Sequence, residues 1–404
     1  MLVLPLKPTI RYDLGLALTY WLDDPNLQVS FQPSNPLQFI LPKPDFTVAQ
    51  CRDDLQRLQS LRNCLSDCLL KPDSHKNALA NSALEDCQEY HAVLLEFEKR
   101  GFPTVDDETT PIHLAWKGAF VKTDDREKHA TLVWDRACVT YNIAALWTQK
   151  AANCSPTDRD ECKQAVGYCQ QAACVLAILK ELCQSEQFAT VDLSGPMLTF
   201  WEKLLLAQAQ TSIYRMASLA PPPAAAAGSN NDGNAAAKKK HSTLAILSQS
   251  AYQLFTEALT AAQDPRLESE VPQPAKLWAT YCKAVGMLAA SKAEYHQSVV
   301  YRLDYQHGRE IAQLRDCQEK LKECRDFISN VDDQTAVGYT KRECLAILPV
   351  VTDRLHEADA DNYRTYHEEI PHKLPEIAAR QLARPTPDLP AAMLVPKKEL
   401  FMNV

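Results

Sequence analysis

Glycine is scarce in this chain, 10 of 404 residues against 25 prolines. Folds that turn repeatedly on glycine, such as Rossmann sheets and β-propellers, need its positive-φ turns and close backbone approaches, so they are disfavoured. The body is expected to be all-helical. A basic excess is also missing: Lys and Arg number 43 against 51 Asp and Glu, a net charge of −8, which is not the electrostatic footprint of a nucleic-acid binder. No segment reaches the roughly 20 consecutive apolar residues that a membrane-spanning helix requires. The opening MLVLPLKPTIRYD is interrupted by Pro5, Lys7 and Pro8 and has neither the apolar core nor the cleavage site of a secretory signal. The closing ELFMNV carries no prenylation cysteine. The expectation is a cytoplasmic protein whose membrane contact is indirect or weakly peripheral.

Catalytic signatures are missing as well. There is no G-x-x-x-x-G-K-[ST] phosphate loop, no H-E-x-x-H and no G-x-S-x-G. His356 is followed by Glu357 but by no second histidine at the helical step, and His367-Glu368-Glu369-Ile370 runs into Pro371, which would break a metal-binding helix. No catalytic residue, metal or cofactor is assigned, and an enzyme is the weakest of the readings. The 14 cysteines contain no C-x-x-C pair; Cys64 and Cys68, Cys162 and Cys169, and Cys317 and Cys324 are spaced by four or seven, which places each pair on one helix face. In a reducing compartment they read as small buried apolar side chains.

What is present is 46% hydrophobic and 23% charged residues, the balance of a globular chain. Residues 1–50 carry seven prolines between short runs such as Leu27 to Phe31 and Phe39 to Leu41, and read as extended chain with short edge strands. From residue 47 the period changes: Val48, Cys51, Leu55, Leu58, Leu61 and Leu65 fall at three- and four-residue steps, as on an amphipathic helix. Helical patterns follow over 76–100, 111–120, 126–153, 160–187, 196–218, 242–263, 274–328 and 335–358. The last two carry matching apolar stripes, Val299 to Ile328 and Val337 to Leu355, and are expected to pair as an antiparallel hairpin. The domain reads as a stack of helical hairpins whose neighbours bury each other's faces, as in a solenoid. Residues 219–240, LAPPPAAAAGSNNDGNAAAKKK, read as a flexible low-complexity loop. The segment 379–404 reads as a Pro-rich extension beyond a domain of residues 1–378.

Five blocks resemble one family in order. Leu132 to Ala152, LVWDRACVTYNIAALWTQKAA, is similar to the signature helix of the BRO1 domain, the module of ALIX-like endosomal adaptors. Its apolar residues cover more than one face, so the helix should be buried and Asn142 should need a hydrogen-bond partner. IHLAWKGAF at 112–120, LLLAQAQTSIYRMA at 204–217, AEYHQSVVYRLDYQHGREIAQLR at 293–315 and DNYRTYHEEIP at 361–371 resemble further blocks of that family. The resemblance covers most of residues 100–375.

The resemblance implies a boomerang-shaped stack of helices with a tetratricopeptide-like core and a small N-terminal β-sheet. It also implies a partner: the C-terminal amphipathic helix of an Snf7-family ESCRT-III subunit, held in a groove. Carried over by position, Ile213, Leu244 and Leu247 are the apolar groove residues and Lys163 lies at the groove edge. Arg159 stands where other members carry an acid or an aliphatic residue. Tyr366 and His367 match a second partner surface. Read as residues alone, Ile213, Leu244 and Leu247 are equally ordinary core, Lys163 and Arg159 are solvated helix residues, and Tyr366 is a packing residue. Recruitment to endosomes for multivesicular-body sorting is the implied role, and a helical scaffold in Rho-binding or pH signalling is the alternative.

Overall fold

The computed structural model describes residues 1–9, 13–23, 47–69, 77–102, 113–120, 126–129, 131–186, 188, 190–221, 230–331, 334–390 and 393. Among them the helices are α1 (Leu14–Asp23), α2 (Val48–Leu69), α3 (Asn77–Lys99), α4 (Leu132–Asn153), α5 (Arg159–Glu186), α6 (Gly195–Ser218), α7 (Asn230–Ala262), α8 (Pro265–Glu270), α9 (Pro272–Leu303), α10 (His307–Ser329) and α11 (Gly338–Asp361). A π-helical turn, Asn362–Tyr366, follows α11, and the strands are β1 (Leu114–Lys117) and β2 (Arg126–His129). The chain divides into two compact units. One comprises Val3–Asn153, Gln171–Glu202 and Pro385–Val404; the other comprises Met1–Leu2, Cys154–Gln170 and Lys203–Arg384.

In the first unit α1 packs on α2, α2 on α3 and α3 on α4. Helix α4 is buried almost all round, as its apolar coverage requires. Its Asn142 finds the partner it needs in the backbone of Lys7: the side-chain oxygen accepts from the Lys7 N–H at 2.7 Å and the amide nitrogen donates to the Lys7 carbonyl at 2.9 Å. Thr148 accepts from the Leu4 N–H at 3.0 Å, so residues 4–7 run as an extended chain along α4. The Lys7 ammonium pairs with Asp192 at 2.7 Å, both side chains being fully buried.

Asp135 of α4 is the polar centre of this unit. It accepts from Arg62 of α2, from the Tyr90 hydroxyl of α3 and, at 2.7 Å, from the Trp116 indole N–H of β1. Arg62 also donates to Thr9 at 3.2 Å. Burial works against the Arg62 charge, but Asp135 and Tyr90 outweigh it, so the guanidinium holds its proton more tightly than usual.

Several expectations change. The small N-terminal β-sheet is not supported: Leu14–Asp23 is helical, with Asp13 capping the Leu16 N–H at 2.9 Å and Leu14, Ala17 and Leu18 buried at helical spacing. Proline density over the whole segment hid a ten-residue stretch without proline. The strands read at 27–31 and 39–41 lie outside the described residues. The described part of 111–120 is not helical but holds β1, and 126–129, read as the start of a helix over 126–153, is strand β2; the two pair antiparallel from Leu114↔His129 to Lys117↔Arg126, with Thr9 bridging Trp116. A short apolar run does not distinguish a buried strand from a helix by period alone.

In the second unit α7 packs on α9, α9 on α10 and α10 on α11. The α10–α11 hairpin forms as the stripes predict, around Leu314, Leu321, Val351 and Leu355, with Leu288 of α9 in the same cluster. The pattern over 274–328 is two helices, not one. The break falls at Asp304–Gln306, where Tyr305 takes a left-handed φ of 57° and Gln306 N–H donates to the Tyr301 carbonyl at 3.0 Å. The cause is tertiary: a Cβ at Gly308 would meet the Glu369 carbonyl oxygen at 2.2 Å, and Glu368 caps the Gly308 N–H at 2.8 Å, so the chain returning after α11 seats on the start of α10. Of the loop expected over 219–240, residues 230–240 are helical, because α7 begins at Asn230. Ala and Lys, strong helix formers, dominate 235–240 and extend α7 toward its N-terminus. Eleven described cysteines are buried, and Cys317, Cys324 and Cys344 donate to carbonyls of neighbouring helices.

Replacing Asp135 by Asn keeps the shape and removes the charge that neutralises buried Arg62. Urea denaturation should show a loss of about 3–5 kcal/mol. The double variant Arg62→Met with Asp135→Leu should recover most of it. A single variant as stable as the parent shows that the pair does not hold the unit together.

Candidate partner-binding site

The carried-over groove residues all fall in the second unit, on the first turns of α5, the second half of α6 and α7. The Ala-Gln-Ala-Gln segment of α6 is the hinge of their arrangement. Ala207 and Ala209 are fully buried and let other elements approach closely. Gln208 donates to the Leu2 carbonyl at 3.3 Å. Gln210, fully buried, donates to the Leu247 carbonyl of α7 at 3.4 Å, and its oxygen accepts from the N–H groups of Leu382 and Ala383 at 3.1 and 3.0 Å. Ser250 of α7 accepts from the Arg380 N–H at 2.7 Å. The chain at 380–383, expected as part of a Pro-rich extension beyond the domain, is bonded to both helices, with Ala383 fully buried. Gln210 is the residue that reading by sequence missed, since its partners lie 37 and more than 170 positions away.

Ile213, Leu244 and Leu247 are interior: their exposures are 8, 3 and 4%. On the adjoining turns Met216 of α6 and Ile246 of α7 are half-buried and Thr243 is exposed. Lys163 and Arg159 are exposed on α5, whose start is capped by Asp158 accepting from the Glu161 N–H at 2.8 Å. Among the described residues neither cation has an ion-pair partner within 4.0 Å. Tyr366 and His367 make no hydrogen bond or ring contact with these residues. Tyr366 stacks on His307 with ring centroids 3.5 Å apart and planes 9° from parallel, and is 46% exposed. His367 is exposed, with a left-handed φ of 54° that ends the π-turn.

A polar chain lies inside the same unit. The Tyr214 hydroxyl meets His296 Nε2 at 2.9 Å, and His296 Nδ1 meets His241 Nδ1 at 3.0 Å, so one of the two rings donates to the other. Burial, then His241, Lys292 and Lys240, pushes His296 down to about 3; burial, Arg302 and Lys240 lower His241. In the first unit burial and Arg136 push His91 down to about 3 as well. No group of three or more His, Cys, Asp or Glu side chains is arranged to hold a metal ion among the described residues, and no described helix is long and apolar enough to cross a membrane.

These histidines give stability a defined pH dependence. The unfolded chain binds the protons of His296 and His91 near pH 6.5, whereas the folded chain does not until about pH 3. Stability is therefore lost as pH falls through that window, by roughly 1.4 kcal/mol per pH unit for each residue. Denaturation midpoints measured from pH 7 to 4.5 should fall, and the slope should be shallower in His296→Gln. An equal slope in the variant shows that His296 takes up its proton without unfolding.

The BRO1-like domain family model matches residues 34–404. Among curated proteins, the chain is 23% identical to the pH-response regulator protein palA/RIM20 of Saccharomyces cerevisiae, over 96% of this chain and 48% of that protein. It is 26% identical to apoptosis-linked gene 2-interacting protein X 1 of Caenorhabditis elegans, over 95% and 38%. The chain thus spans about half or less of the length of these relatives. Among solved structures, a complex of the ALIX BRO1 domain with CHMP4C superposes with a TM-score of 0.73 at 22% identity, covering 98% of this chain and 97% of that one. A Bro1 domain solved for endosomal targeting gives 0.67 at 16% identity. With the model matched over nearly all of its length and the mainly helical fold shared, the chain belongs to the BRO1-like domain family.

Proposed function

We propose that the chain is a non-catalytic adaptor whose α5–α6–α7 face receives the C-terminal amphipathic helix of an Snf7-family ESCRT-III subunit during endosomal sorting. The observation that carries this reading is the likeness, over 98% of the chain, to a BRO1 domain solved with CHMP4C. The chemistry of the face agrees with it. An amphipathic helix needs an apolar seat and a polar rim. Ile213, Leu244 and Leu247 are the buried apolar residues of the proposed seat, Met216 and Ile246 on adjoining turns are half-buried, and exposed Lys163 and Arg159 supply positive charge for acidic residues flanking the partner's apolar stripe. Tyr366 and His367, at the surface beside α10, are proposed as a second contact for another protein.

On this reading the protein works in the cytoplasm and reaches endosomes through its partner. Direct attraction to an anionic membrane is weak: of the dense basic run, Lys238 pairs with Asp304 at 2.6 Å, which leaves the charges of Lys239 and of Lys240, the latter donating to the Ala220 carbonyl at 3.0 Å. Two lysines contribute about 2 kcal/mol at such a surface. The likeness to palA/RIM20 proteins favours a second reading, a scaffold in pH signalling, which shares the fold and differs in ligand.

Titration calorimetry with a synthetic C-terminal helix of an Snf7-family subunit tests the proposal. Wild type should bind, and Ile213→Asp should lose on the order of 2–4 kcal/mol of affinity. Because Ile213 is only 8% exposed, circular dichroism must accompany it. Lys163→Glu, at an exposed site, should weaken binding and reduce its salt dependence. Full affinity in folded Ile213→Asp and in Lys163→Glu places the helix elsewhere, and no binding by wild type favours the signalling reading.

A further inference from the structure

A second site lies within the second unit, behind the polar chain of Tyr214 and His296. The second half of α6, the α7 and α9 helices and the first turns of α11 enclose a cavity of about 70 Å³. Gln208, Tyr214, Arg215, Lys292, Tyr339 and Glu343 supply most of its polar lining. A buried water needs roughly 10–15 Å³ on this measure, so the space holds a handful of waters or one small polyatomic ion, and no nucleotide.

The charges around it do not balance. Glu343 is the only carboxylate in the lining, and both its oxygens are engaged: Lys292 donates to one at 3.0 Å and the Tyr339 hydroxyl to the other at 3.0 Å. Arg215 has no carboxylate partner among the described residues. Its guanidinium lies 4.9 Å from the centre of the Tyr339 ring, and Arg342 lies 6.0 Å from the same ring. None of the side-chain donors of Arg215 is committed to an acceptor among the described residues, and Lys292 uses one of its three on Glu343. A cationic surplus gathered over a low-dielectric cavity is costly unless an anion neutralises it. The crowding is felt by the bases themselves: burial and then Arg215 lower the proton affinity of the Met1 amino group, and burial lowers that of Lys292 even with Glu343 beside it.

We propose that this cavity is a binding site for one small tetrahedral oxyanion of the phosphate class, held bidentately by Arg215 and from within by Lys292, with exposed Arg342 beside Tyr339 adding positive charge nearby. Planar guanidinium matches two phosphate oxygens, and an ammonium supplies a point charge to a third. Glu343 opposes the ligand and limits its affinity. The source is either free inorganic phosphate or the phosphate of a small monoester, because both present the same three or four oxygens.

The full chain titrated with inorganic phosphate at constant ionic strength should show saturable one-to-one binding, with a rise in melting temperature as the anion loads the folded state. Chloride at the same ionic strength should give neither. Arg215→Gln should weaken phosphate binding at least tenfold, and Arg342→Gln, at an exposed position, severalfold. Glu343→Gln should tighten it, an outcome that a purely structural role for Glu343 does not produce. Glycerol 3-phosphate run in parallel separates the sources: tighter binding than phosphate assigns the site to monoesters, and weaker binding assigns it to the free ion. Absence of saturable phosphate binding by wild type, or weaker binding in folded Glu343→Gln, overturns the proposal. Should Arg215→Gln fail to fold, the opposed shifts of Arg342→Gln and Glu343→Gln decide it.

Discussion

Each unit is organised around one buried polar group that must be satisfied on every side. In the first it is Asp135, whose oxygens draw α2, α3, α4 and β1 to one point through Arg62, Tyr90 and Trp116. In the second it is the amide of Gln210, which spends its nitrogen on α7 and its oxygen on the chain at 382–383. An unpaired amide or carboxylate at either place would cost more than most single apolar contacts contribute. These hubs therefore fix which helices are neighbours, and packing of the long apolar stripes fills in around them. The surface assigned to the partner is built directly on the second hub, one turn from Gln210.

Much of the helical body was legible from the sequence because its helices are long and amphipathic, and period is a local property. Stripes such as Val48 to Leu65 and Val337 to Leu355 need only their own residues to declare themselves. The features that were not legible depend on distant chain. Tyr305 breaks α9 from α10 because Glu368 and Glu369 arrive some sixty residues later to seat against Gly308. β1 is a strand because β2 and Thr9 lie beside it. The start of α7 at Asn230 was hidden by low complexity, although its Ala and Lys content favours helix.

The candidate site divides in the same way. That Lys163 and Arg159 are solvent-facing followed from their places at the start of an amphipathic helix. That Ile213, Leu244 and Leu247 are interior did not, because an apolar residue on a two-sided helix can face either neighbour. The role of the Ala-Gln-Ala-Gln segment was the least legible: its alanines read as packing, but its glutamines serve the two ends of the unit's chain, Leu2 and the 382–383 backbone. Titratable groups in this unit are tuned against charge by burial, as at His296 and Lys292.

The central claim is that α5, α6 and α7 together form the seat for a partner helix. Hydrogen–deuterium exchange of the full chain with and without the Snf7-family C-terminal helix tests it most directly. The account predicts slowed exchange in the first turns of α5, in α6 after residue 203 and in α7 over 240–250, with 380–383 changing in step because Gln210 and Ser250 hold it there. Protection confined to α10, α11 and the π-turn, with α6 and α7 unchanged, would contradict it.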